Sequence, residues 1–496
     1  MLLEESMRFR IAGATVALLA LLEGFSLASF WYPQIEVYGM AFFVLACVWL
    51  SIKRIEYGLM MIFAELIVSS FGRMLAFEQV SIRMALFAVV MSMWLIRHVP
   101  RSTQAMKRLC HDHDASGIFG PLFLMAIMFS GSFLYGIVRG HDLSAVVQDA
   151  NGYVFFLLFL PVLALKSKID FYRNLLLVVT VALSWLIAKS LLIFIFFTHV
   201  GQPFFDLWQY QWLRDMRIAE ITPYGGGLVR VFLQSHIYVA LAFIVLLAIP
   251  LSMRRHIKPS VLFALLVGCS SVLLLSLSRS MWLGVGCAGL MLIVWLLVKK
   301  RFAIAKYVLQ AGSVSLVAGY VLLSLLYGLP YGENTRAPLH SLFVSRVQAV
   351  DTEVAAASRW EQLPILLGSI TEQPVFGHGF GKTLTISNPH DASISEDRFA
   401  FEWGWLDLWT KVGVVGVILY TWFIYRLASL IVRIRLSRDG LQIQQGLISV
   451  LIAFVVINVF TPYINHPLGI GCLMFIYLIQ QGLIQYGFYE KLQVSK

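Results

Sequence analysis

Residues 11–30, IAGATVALLALLEGFSLASF, carry a single ionisable group, Glu23, over about the twenty positions that an α-helix needs to cross the hydrocarbon of a bilayer. Runs of this kind recur to the C-terminus. Between them, charged residues gather in short clusters, so the chain must cross a membrane repeatedly. The composition agrees: 59% of the residues are hydrophobic, and the mean hydropathy is +0.79, too apolar for a soluble globular chain. The opening MLLEESMRFR is followed by an apolar run with no small-residue cleavage site, so the first helix is expected to be retained.

Measured against the helical ruler, the runs give an all-α integral membrane protein of about fourteen helices. Residues 1–328 hold the first eleven helices, 329–403 form one large loop, and 404–496 hold the last three. The shortest runs, 57–72 and 153–165, leave room for tilted or re-entrant segments. Lys and Arg fix the orientation, because cytoplasmic loops retain an excess of them. More than half of the 38 basic residues fall at every second loop if both termini are cytoplasmic. The net charge of +11 is then a signature of topology and of anionic lipid, with no need for nucleic acid. Five cysteines, Cys47, Cys110, Cys269, Cys287 and Cys472, imply no disulfide framework.

Residues 374–383, PVFGHGFGKT, look at first like a phosphate-binding loop. The glycine that such a loop requires upstream of Gly-Lys-Thr is replaced by Phe376, and the topology puts the segment outside the cytoplasm, away from ATP. Its glycines must serve another purpose.

Three outer segments are long or charged enough for chemistry: 139–153, 201–232 and the loop 329–403. In the last, VSRVQAVDTEVAAASRWEQLPILLGSI spaces apolar residues as helices lying on the membrane surface would. Arg230, Arg279, Arg346 and Arg359 all fall outside the membrane, and a guanidinium fork fits phosphate oxygens. Together they can hold a diphosphate. Each alone reads equally well as an arginine snorkelling to headgroups. Glu402 enters a helix among Phe399, Phe401, Trp403 and Trp405, where desolvation suits a general base; a helix N-terminal acid is the plainer reading. His390, in SNPHDAS, is either a second base or a surface histidine. Asp112 and Asp114 have the spacing of a metal pair but stand beside Lys107 and Arg108, which favours solvated charge. Glu23, Glu65 and Lys189 lie inside spans, as functional groups or as internal pairs.

In order and spacing, SLSRSMWLGV (276–285), SRWEQLPILLGSITEQPVFGHGFG (358–381) and KVGVVGV (411–417) resemble the O-antigen ligase and O-antigen polymerase superfamily of bacterial envelope glycosyltransferases. The likeness spans about residues 220–430. The resemblance implies a GT-C-like fold in the cytoplasmic membrane with an extracytoplasmic active site. It implies an undecaprenyl-diphosphate-linked glycan as donor, a glycan or lipid-linked acceptor, no cofactor or metal, and a place among envelope polysaccharide assembly proteins. By the same resemblance Arg230, Arg279 and Arg359 match family arginines, and Gly377, Gly379 and Gly381 match its glycine segment. Where the family sets a His-Asn-x-x-Leu motif, this chain reads Glu402-Trp403-Gly404-Trp405-Leu406. Either Glu402 replaces the histidine or His390, further upstream, reaches the same spot. The missing motif favours a polymerase over a ligase. A lipid-carrier flippase is the rival outside enzymology, and the chain shows no internal repeat of the kind transporters often carry.

Overall fold

The computed structural model describes residues 2–98, 113–164, 169–200, 203–224, 227–249, 258–329, 338–340, 343–344, 354–388, 391–433 and 438–485. Each expected apolar run contains a helix. Among the described residues nine helices, from Arg8–Trp31 to Gly440–Phe460, are long and apolar enough to cross a membrane. His236–Leu247, Pro259–Leu275 and Pro467–Leu483 are shorter apolar helices. Peripheral helices bury one stripe and leave apolar side chains outside: Thr15, Leu19, Leu22, Ser26 and Ser29 face inward, while Val16 and Leu21 are exposed. A helix apolar all round is stable in this way only in lipid.

Two runs end elsewhere than the sequence suggests. The run at 57–72 is helical over Ile55–Val68 only, nearly all of it buried. The chain then turns through Ser70 and Gly72, both at positive φ, into a two-residue hairpin and the helix Ile82–His98. The run at 153–165 begins ten residues early, because helix Leu143–Val154 continues through a 3-10 turn, Phe155–Leu158, into Phe159–Ala164. Asp142 caps it, accepting from the Ala145 amide at 2.8 Å. Most of the polar stretch 139–153, from Leu143 onward, therefore belongs to the candidate span Leu143–Ala164. Its carboxylate, Asp149, tolerates burial because a cation meets it from 262 positions away. The ionisable groups inside spans are paired: Lys189 Nζ lies 2.7 Å from Glu23, and Arg83 Nε 2.9 Å from Glu65.

One helix is broken on purpose. Gly404–Arg433 contains Gly413 at φ 69°, ψ −177°, a conformation only glycine adopts readily, which removes helical hydrogen bonds on both sides. An unsatisfied backbone group is costly at membrane depth. The glycine segment supplies the missing partners. The amides of His378 and Gly379 donate to the carbonyls of Thr410 and Lys411 at 2.8 and 3.0 Å, and the amides of Val414 and Val415 donate to Pro374 and Val375 at 2.9 and 3.3 Å. Such contact demands bare backbone. A Cβ on Gly377 would lie 2.6 Å from the Lys411 carbonyl carbon, and one on Gly379 would lie 2.6 Å from the Gly136 nitrogen. One on Gly381 would meet Val146, 2.8 Å from its nitrogen. All three have positive φ. The glycines thus splice helices together, and the two motifs Gly-x-Gly-x-Gly and Gly-x-x-Gly form one device. The segment follows a helix and precedes the strand Leu384–Asn388, the reverse of a phosphate-binding loop. Gly379→Ala combines left-handed strain with overpacking and should cost about 2–4 kcal/mol, read as a lower thermal midpoint of the detergent-solubilised protein. An unchanged midpoint would refute the splice.

Candidate active site

The hairpin Glu220–Tyr224/Leu228–Phe232 closes the polar end of the bundle. Strand alternation orders it: Ile221, Val229 and Val231 are buried beneath, while Thr222 faces Arg230 across the ladder. Glu220 and Tyr224 share that face. Arg230 donates from Nε to the Ser276 carbonyl at 2.9 Å and lies over the Phe232 ring, 4.9 Å from its centre. Ser276 opens the SLSRS turn, in which Leu277 takes positive φ and Ser278 stands as N-cap of helix Arg279–Val298. Ser280 then bonds Thr461 at 2.9 Å, which ties the turn to the loop before the last helix.

Arg279 occupies the first helical position. A cation there opposes the helix dipole, and charge and dipole together favour an anion at this end of the helix. Helix Val354–Glu372 brings Arg359, whose Nε lies 2.6 Å from Glu402. Two further bonds hold that pair: Trp403 Nε1 donates to the Arg359 carbonyl at 2.8 Å, and the Glu402 amide donates to buried Gln362 at 3.1 Å.

Electrostatic coupling links these groups. Arg230 and Arg279 each feel the positive charge of Arg359. Burial holds Arg230 below the ordinary arginine value, opposed chiefly by Glu220. Burial raises the Glu220 carboxyl, against the pull of Arg230 and a hydrogen bond with Gln234, and the negative charge of Glu402 raises it further. The Tyr224 phenol is raised by burial, while Arg279 and Arg230 act against it. Glu220 keeps solvent access despite the protein packed around it, which is how the wall of an open cleft behaves. Three arginines and two carboxylates meet there, and the balance among the described residues is positive.

Of the residues expected from sequence, Arg230, Arg279, Arg359 and Glu402 come together. Arg346, His390 and Asp112 lie outside the described residues, as does the Asp114 side chain. The glycines belong to the splice described above. Glu402 departs from expectation in one respect. In the extended stretch before the helix, Phe401 and Trp403 turn into a small core with Leu366 and Ile386, whereas Glu402 points the other way. Its side chain is 35% exposed and ion-paired, so the aromatic neighbours do not desolvate it.

Glu220 escaped the sequence reading, although the alternation in EITPY and LVRVF puts it on the face of Arg230. A second charged group was invisible: Lys411, fully buried, lies 2.5 Å from Asp149 and 2.8 Å from Asp407. Asp149 also accepts from the Gly381 amide at 3.0 Å, and Asp407 from the Phe401 amide and Asn465 at 3.1 and 2.8 Å. This network locks the splice to helix Leu143–Val154.

Residues 262–421 match the family model of the O-antigen ligase. No curated protein matches the chain. The matched segment contains Arg279, Arg359, Glu402, the glycine segment and the Gly413 break, and leaves out the hairpin with Glu220 and Arg230. Over that segment, about a third of its length, this multi-pass membrane protein is similar to the O-antigen ligase family, which supports a place in the superfamily of glycosyl-transferring ligases and polymerases.

Proposed function

We propose that the chain polymerises undecaprenyl-diphosphate-linked repeat units at the outer face of the cytoplasmic membrane. In this reading fourteen helices cross the bilayer in a GT-C-like arrangement, both termini are cytoplasmic, and residues 329–403 form the outer loop over the site. The observation that carries it is the meeting of Arg230, Arg279 and Arg359 beside Glu402 and Glu220. Arginine forks fit a diphosphate, and a helix N-terminus at Arg279 adds to the same field.

The reaction is an inverting displacement. A carboxylate takes the proton of an acceptor hydroxyl, whose oxygen attacks the anomeric carbon opposite the diphosphate. The carbon–oxygen bond to the carrier breaks, and the lipid diphosphate departs with the bonding pair. Guanidinium groups fixed in advance stabilise the charge that collects on it. Glu402 is the base in this account. A bound diphosphate competes with Glu402 for Arg359, so arrival of the donor frees the carboxylate for the acceptor. Glu220 balances Arg230 at the other edge of the cleft.

Glu402→Gln should lower transfer in proteoliposomes by about 10²–10⁴-fold, while binding of inorganic pyrophosphate persists. Full activity in this variant, with activity lost in Glu220→Gln, would move the role of base to Glu220. The O-antigen ligase match favours a second reading, transfer of a finished glycan to a lipid A core or protein acceptor. Glycans of a deletion strain separate the two. Single repeat units on the carrier mark a polymerase, and long unattached chains mark a ligase.

A further inference from the structure

Next to the arginine site lies a second cavity, of about 360 Å³, within the usual range for small-molecule sites. It is walled by the start of helix Ile82–His98, by helix Leu143–Val154, by Phe399 and Ala400, and by the loop 461–467. We propose that this cavity binds a neutral saccharide ring, the acceptor end of the transfer. The proposal rests on the function proposed above, which says what is transferred; the cavity says where the receiving sugar sits.

Three observations point to a sugar. The first is the mixture of surfaces: Phe71, Phe155 and Tyr463 line the cavity together with the amides of Gln148 and Asn151, and a pyranose likewise combines apolar faces with hydroxyl edges. The second is unspent hydrogen-bonding capacity. Arg83 borders the cavity, only 2% exposed, and its Nε and Nη2 are bonded to Glu65 and to the Ser70 carbonyl. Its Nη1 has no hydrogen-bond partner among the described residues. A buried donor left empty is costly unless a ligand fills it. His466 adds another donor: its Nδ1 accepts from the Leu468 amide at 3.2 Å, and burial, reinforced by Arg83, pushes it down to about 3, so the neutral ring carries its proton on Nε2.

The third is charge. Arg83 is answered by Glu65, and Asp149 and Asp407 together answer Lys411, so among the described residues the cavity has no surplus cation to draw a phosphate. A neutral polyol suits it; the diphosphate belongs with the arginines next door. Gln234 joins the two sites. It borders the cavity, its amide donates to Ser70 Oγ at 3.0 Å, its carbonyl accepts from the Tyr463 hydroxyl at 2.9 Å, and its side chain bonds Glu220 of the arginine site. Gln234 therefore stands between the cavity and the Glu220 carboxylate.

Asn151→Trp, at an exposed position on the cavity wall, fills the space without touching the buried pairs. The probes are the free oligosaccharide released by mild acid from the host strain's carrier lipid, followed by saturation-transfer NMR, and inorganic pyrophosphate, followed by calorimetry. We expect the oligosaccharide signal to vanish in the variant and the acceptor KM to rise by about tenfold or more, with pyrophosphate affinity unchanged. An oligosaccharide signal that survives Asn151→Trp overturns the assignment. So does the absence of any such signal in the parent protein; if pyrophosphate still binds, the proposed transferase function stands without this cavity. Failure of the parent to bind either probe sinks both.

Discussion

Lys411→Met should destabilise the protein by about 3–5 kcal/mol, the largest stability effect expected of any side chain discussed above. The methionine fills the volume of the lysine stem, so the loss is electrostatic rather than steric. Asp149 and Asp407 would remain buried without a cation, and a charge stranded in a low-dielectric interior is far more costly than a pair is favourable. The measurement is the thermal midpoint in detergent. Adding Asp149→Asn and Asp407→Asn should recover much of the loss, because the amides keep the hydrogen bonds to the Gly381 and Phe401 amides only in part but carry no charge. A single Lys411→Met variant as stable as its parent would show that the carboxylates are neutral or solvated in place.

Arg279→Gln should do the opposite to stability while nearly abolishing activity. Removing a cation from the first turn of helix Arg279–Val298 relieves an unfavourable interaction with the dipole, worth about 0.3–1 kcal/mol. Transfer should nevertheless fall by about 10²–10³-fold, the usual consequence of deleting one fixed donor from a site that stabilises a leaving anion. The two signs together are the diagnostic. A residue kept for folding loses both properties, whereas a residue kept for an anion loses only the second. Paired measurements of melting and glycan transfer on the same preparation decide it. Retained activity, or a falling midpoint, would remove Arg279 from the diphosphate site.

The helices, their near-complete order and the membrane itself were legible in the chain because they depend on local runs of apolar residues. Arg230, Arg279, Arg359 and Glu402, on which the proposed site rests, stand out in the sequence for a similar reason: each is a charged residue outside the apolar runs. The glycine motif was visible as a motif but not as a splice, since nothing local says that its amides will meet the carbonyls freed by Gly413. Glu220 needed only a reading of strand alternation in a chain otherwise read for helices.

What tertiary structure alone decided is which charges neutralise which. Lys411 and Asp149 stand 262 positions apart, and Arg83 meets Glu65 across a turn whose first residues the hydropathy pattern had counted in a span. A lone carboxylate in an apolar helix breaks the pattern and reads as loop, yet beside an ammonium it is compatible with the bilayer. Sequence reports each charge with its own neighbours along the chain. The energy of a buried charge is set by its neighbours in space, so the sequence determined where the membrane is, and the fold determined where polar chemistry can exist inside it.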